Sequence, residues 1–137
     1  MSMFEPAREP FPSRMLSLLR IIAGLIYTTS GTMILFGYPK SPVPMPPLVL
    51  LSQVGIGGLL EFIGGILIIL GLFTRPTAFI LAGEMAVAYF MQHYPKAFWP
   101  ILNGGEPAVL YCFIFLYIAS VGSGALSVDA LIAKSRR

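Results

Sequence analysis

Four long apolar runs, at roughly 15–36, 48–73, 76–94 and 107–126, limit more than any other feature how this chain can fold. Each is close to the ~20 residues that a helix needs to cross the hydrocarbon core of a bilayer, and the second is long enough to tilt. Backbone N–H and C=O groups find no water in hydrocarbon, so a span must satisfy them internally, as a helix does. The separators are turn material. PKSPVPMPP (39–47) is rich in prolines, which lack an N–H and restrict the residue before them. Thr74-Arg75-Pro76 is a tight turn with Pro76 suited to open a helix, and KAFWPILNGGEP (96–107) is an aromatic, glycine-bearing loop closed by Pro107. The expected fold is all-α: an integral membrane, antiparallel four-helix bundle forming a single domain over 1–137, with a lead-in at 1–14 and a tail at 127–137.

Composition points the same way. Hydrophobic residues make up 56% of the chain and charged residues 11%, against about a quarter charged in soluble domains. Mean hydropathy is +0.81. The first run is too long for the apolar core of a cleaved signal peptide and lacks a small-x-small cleavage site, so it is expected to remain as a span. With four spans both termini share a side, together with the 74–76 turn. That side carries Arg8, Arg14, Arg20, Arg75, Lys134, Arg136 and Arg137, whereas the other carries Lys40 and Lys96. Lys and Arg concentrate on the cytoplasmic side, which places the protein in a bacterial inner membrane with both termini in the cytoplasm. Topology thus explains the net charge of +3 without a nucleic-acid partner.

The residue inventory excludes several chemistries. A single cysteine, Cys112, offers no intramolecular disulfide, no CxxC pair and no iron–sulfur ligand set. A single histidine, His93, rules out bis-histidine haem within one chain, and no metal site is expected. Neither a GxxxxGK[ST] nor a GxGxxG motif is present.

Ionisable residues inside a span are costly, which makes them the first functional candidates: Arg20, Glu61 and Glu84. Arg20 lies near the cytoplasmic end of the first span, where its long side chain is expected to snorkel to headgroups. Glu61, in GLLEFIGGILIIL (58–70), has Gly57, Gly58, Gly64 and Gly65 at i−4, i−3, i+3 and i+4. Such a glycine trough lets another helix approach, which turns the acid toward the bundle interior. It is either a carboxylic acid bonded across a helix interface as packing glue, or a group that handles protons or binds a ligand. Counted from Arg75 at 1.5 Å per residue, Glu84 lies roughly 14 Å deep and Glu61 roughly 21 Å, about a turn apart on adjacent helices. The two can share a proton or polar ligand if they face one interior, with Arg20 as a candidate counter-ion for Glu84.

A second group, with His93, Trp99, Asn103 and Glu106 as ligand candidates, falls at the outer interface, where aromatic residues are ordinary anchors. His93 with Glu106 is a candidate proton relay or headgroup contact, and Asn103 is alternatively a cap for the fourth helix. Glu106, Phe113, Tyr117 and Ser120 fall on one stripe, which reads as core rather than a cofactor surface.

The segments GTMILFGYP (31–39), LEFIGGILIILGLFTRP (60–76), LAGEMAVAYFMQHYP (81–95), FWPILNGGEPAVLYCFIFLYIA (98–119) and GSGALSVDAL (122–131) resemble the DoxX family of small four-span membrane proteins, over about Arg20 to Asp129. One departure stands out. Family members of this type read His-Gly-Thr-x-Lys late in the first span, whereas this chain has Ser30-Gly31-Thr32-Met33-Ile34. The resemblance implies a membrane subunit near redox enzymes, linked to quinones and to sulfur oxidation or oxidative stress. It also implies a soluble or membrane oxidoreductase partner and, at most, quinone as a cofactor. Such a subunit is not an autonomous enzyme, because this chain has no evident electron-carrying centre. Two other readings stay open: a small proton-coupled transporter, which at this size would work as a homodimer, and a membrane assembly chaperone or scaffold.

Overall fold

The computed structural model describes residues 10–137. Residues 1–9, which include Arg8 and most of the expected lead-in, lie outside the described residues. All regular structure described is helical: α1 (Phe11–Phe36), α2 (Gln53–Leu70), α3 (Thr74–Ala88), the short α4 (Pro100–Asn103), α5 (Glu106–Val121) and α6 (Val128–Ser135). Two segments are π-helical, Leu60–Gly64 inside α2 and Tyr89–His93 continuing α3.

Helices α2 and α5 are shorter than their apolar runs for local reasons. The second run starts as a turn, and α2 begins only where the Ser52 hydroxyl accepts from Gly55 N at 3.1 Å, a standard N-cap. It ends at Gly71, whose φ of 69° is the left-handed conformation that glycine adopts most easily. The fourth run is cut at Gly122, with φ 93°, leaving α5 roughly 24 Å long. Helices α1 and α2 are long and apolar enough to cross a membrane, whereas α5 is apolar but shorter.

Helix α1 lies along α2, and α3 lies along α5, while the two pairs meet along a thinner seam. Glycine makes the first pairing close. A Cβ on Gly31 would stand 2.5 Å from Phe62 N, and one on Gly65 would stand 2.1 Å from Thr28 Oγ1. At Gly31 the obstacle is backbone that cannot swing aside, so Gly31→Val should separate α1 from α2. A loss of about 3 kcal/mol is expected, read as a lower melting temperature in detergent.

Tyr27, Ile68, Leu81, Phe115 and Ile118 fill the core at 0–1% exposure. The outward faces are equally apolar: Leu18, Ile26, Ile63, Phe79 and Phe113 are each more than half exposed. Soluble monomers seldom leave so much contiguous apolar surface to water. The stripe expected to be core on α5 needs correcting, since Phe113 and Tyr117 point outward at 66% and 56% exposure. The buried face of α5 instead carries Ala108, Phe115 and Ile118.

The end of the bundle that holds the α2–α3 turn and α6 is tied by three charged side chains. Arg20 is fully buried and does not snorkel. Its Nε donates to Ser123 O (2.9 Å), Nη1 to Ile68 O and Ile69 O (2.5 and 2.7 Å), and Nη2 to Leu126 O (2.5 Å). One guanidinium thereby gives Ile69 O a partner and Ile68 O a second one beside Gly71 N, and it joins the C-terminal end of α2 to the loop before α6. Arg75 Nη1 does the same for α5, donating to Ser120 O at 2.9 Å. The Asp129 carboxylate accepts from Phe73 N and Thr74 N, both at 2.9 Å, and so caps α3 from a distance.

Candidate functional site

The seam between the two helix pairs holds the acids. Glu61 sits in the π-helical turn of α2, one of the wide turns that recur at functional sites. Glu84 faces it from α3, and the two carboxyls adjoin on one cavity. Glu61 Oε2 is buried and has no hydrogen-bond partner among the described residues. Behind Glu84, the Tyr27 hydroxyl donates to Glu84 Oε2. The Tyr27 ring is wedged against Tyr111 (centroids 5.2 Å apart) and edge-on to Phe115 (4.9 Å), which fixes where its hydroxyl points.

The four glycines around Glu61 divide between two neighbours. Gly58 and Gly65 meet Ile34 and Thr28 of α1, while Gly57 stands beside Glu84 and Gly64 beside Leu81 of α3. The cavity itself is a groove of about 540 Å³ between α2 and α3, and Ile34 and Met45 contribute to its wall. Its polar groups are the two acids and the amides of Gln53 and Gln92. Ile56, Ile80 and Val87 on its rim are about half exposed, so the groove opens sideways through the apolar surface. Gly83 also lines it, and a Cβ there would meet nothing within 4 Å.

The other candidates lie elsewhere. Arg20 does not approach Glu84 as a counter-ion, because its donors go to the four carbonyls described above. His93 Nδ1 lies 3.0 Å from Asn103 O, and Glu106 is exposed, so the structure shows no His93–Glu106 relay. Asn103, 4% exposed, donates to Tyr89 Oη (3.2 Å) and Ala97 O (3.0 Å) and accepts from Gly105 N (2.8 Å). It thus braces the loop just before α5 rather than capping that helix's own free N–H groups. Trp99 is 62% exposed and packs edge-on against Phe98, as an interfacial anchor does. Among the described residues no three His, Cys, Asp or Glu side chains converge as a metal-ligand set.

Three residues, two lining the groove and one behind it, escape a reading of the sequence. Tyr27 carries a usable signal: a tyrosine in the middle of an apolar run, away from either interface, needs an internal partner for its hydroxyl. Gln53 and Gln92 carry none, since a glutamine near the end of a run is ordinary boundary polarity.

Apolar outward faces, two helices of membrane-crossing length and a pair of carboxyls held in an internal seam define a small helical protein of membrane character. The chain belongs to the DoxX family, whose pattern matches residues 15–94. A protein of Haemophilus influenzae, described only as uncharacterized, is 40% identical over 124 residues, covering 88% of this chain and 92% of its own length. No solved structure matches this chain.

Proposed function

We propose that this chain is a multi-pass inner-membrane subunit that holds a quinone in the α2–α3 groove for a partner oxidoreductase. Helices α1, α2, α3 with its π-helical extension, and α5 are the four spans, and both termini are cytoplasmic. The observation that carries the reading is the groove's lining, in which two carboxyls and two carboxamides sit within an apolar wall without a Lys or Arg among them. A quinone is uncharged, lipid-soluble and rich in hydrogen-bond acceptors, and it can enter from the side through the half-exposed rim. A sulfur oxyanion would face two acids and no cation, a like-charge arrangement that is costly in a poorly hydrated site. The departure from the family pattern strengthens the preference. Ile34, at the position where relatives of this type carry Lys, forms part of the groove wall.

Reduction of a quinone consumes two electrons and two protons. The electrons come from the partner's flavin or metal, while Glu61 and Glu84 are placed to hold and hand over protons at the groove floor. Tyr27 keeps the Glu84 carboxyl in position. The test compares quinone reduction by membranes containing the wild-type protein, Gly83→Phe, or no protein. The space beside Gly83 admits the ring into the groove without a backbone clash, so Gly83→Phe should reduce the rate to that of membranes lacking the protein. An undiminished rate in a folded Gly83→Phe protein would sink the proposal.

A further inference from the structure

The acid-floored groove does not end at Glu61. A second cavity, of about 360 Å³, continues from it along the same α2–α3 seam toward the end capped by Arg75, and shares Ile56, Leu60 and Ile80 with the first. Its remaining walls include Ile63, Leu67 and Thr77, and its surface is almost wholly apolar. Gly64 sets its floor, where a Cβ would stand 2.7 Å from Leu81 Cδ2 and push the two helices apart. The seam therefore has two compartments in line. One is polar, running from Gln53 to Glu61 over roughly 12 Å of helix, and the other is apolar, running on to Leu67 over roughly 9 Å.

We infer that the groove is built for a ligand with both a head and a single hydrocarbon tail, seated with the tail in this second compartment. The inference deepens the quinone reading and rests on it, because the carboxyls and amides select the head while the apolar continuation selects the tail. Two features single out a tethered chain as the occupant. The two compartments are continuous through shared walls, and the one polar side chain among the distinctive residues of the second, Thr77, is only a hydroxyl. A protein helix is too thick, at about 10 Å across with its side chains, to enter between α2 and α3 where Gly64 and Leu81 already touch. Chain and lipid are equally apolar, so leaving bilayer for groove brings no hydrophobic gain. Close packing along the walls must hold the tail.

The test uses a benzoquinone whose decyl tail ends in a photoactivatable diazirine, together with the same headgroup lacking a tail. In membranes containing the wild-type protein, illumination should attach the tail to peptides carrying Ile63–Leu67 and Thr77–Leu81, and excess tailless quinone should suppress that attachment. Leu67→Phe and Thr77→Phe each fill the second compartment, and each should reduce labelling there at least fivefold. Tailless quinone should still protect Gly83→Cys from a thiol reagent in either variant. Labels spread evenly over outward residues such as Leu110 and Phe113, or unchanged labelling in both Phe variants, would overturn the tail assignment while leaving head binding intact. If tailless quinone neither competes nor protects, the quinone reading falls together with the tail assignment.

Discussion

Arg20→Met should fail to give a stable protein. The guanidinium is fully buried, and its donors reach Ile68 O, Ile69 O, Ser123 O and Leu126 O. Methionine fills much of the same volume but donates nothing, so Ile69 O and Leu126 O lose their donor, while Ile68 O keeps Gly71 N and Ser123 O keeps only the long contact from Ser17 Oγ. Each buried polar group left unsatisfied costs about 1–3 kcal/mol, and those bonded to a charged donor fall toward the upper end. With several affected together, the expected loss exceeds about 4 kcal/mol, in the range reserved for exceptional substitutions. The readout is size-exclusion behaviour and melting temperature in detergent, with a drop of more than about 10 °C. Arg20→Lys should recover only part of it, because an ammonium on a single stem cannot span carbonyls from two chain segments as the planar fork does. A stable Arg20→Met protein would mean that water satisfies these carbonyls and that the clamp is dispensable.

Glu84→Gln should behave in the opposite way, leaving the protein stable and disabling its function. The amide oxygen can still accept from the Tyr27 hydroxyl, and the side chain keeps its length, so stability should change by less than about 1 kcal/mol. An amide cannot take up and release a proton. A positioned acid or base contributes about 100-fold or more to a proton-transfer step, so quinone reduction supported by the protein should fall by about that factor. Glu61→Gln should act in the same direction, since the two carboxyls share one cavity. Wild-type rates in both variants, with quinone still bound, would reduce the pair to hydrogen-bonded packing and remove the acids from the chemistry.

The all-helical class was legible because it depends on local features, the apolar runs of span length and the prolines of 39–47. The turn expected at 74–76, by contrast, lies at 71–73, where Gly71 ends α2, and Thr74 already opens α3. The two acids were legible because a carboxylate within an apolar run is conspicuous at any depth. What they meet was not legible. Arg20 reads as a snorkelling residue because it sits near the end of its run, and its true partners at Ser123 and Leu126 lie more than a hundred residues away, beyond the reach of helical spacing. A separation of 55 and 56 residues likewise hides Asp129 as the cap of α3. Counting depth along ideal helices separated Glu61 from Glu84 by a turn, yet the carboxyls adjoin. The count assumes uniform rise and ignores both the π-helical segment that carries Glu61 and the reach of two glutamate side chains. The α5 stripe failed because the outward face of α5 is as apolar as its buried face, so apolar periodicity does not distinguish the two.

The wide turn at Leu60–Gly64 also has a consequence for how α2 tolerates change in length. A π-helical turn holds one residue more than a regular turn, so α2 can lose a residue there by reverting to regular helix, with its two halves kept in mutual phase. Gly58 and Gly65 both reach α1, from opposite sides of the turn, and Gly57 and Gly64 both reach α3. The helix is thus indexed like a vernier, with matched marks on either side of a fixed offset. Losing one residue within the offset would leave composition and hydropathy almost untouched. It would also leave both sets of marks engaged, whereas a residue lost from the regular part of α2 would rotate one half by about 100° and release one set.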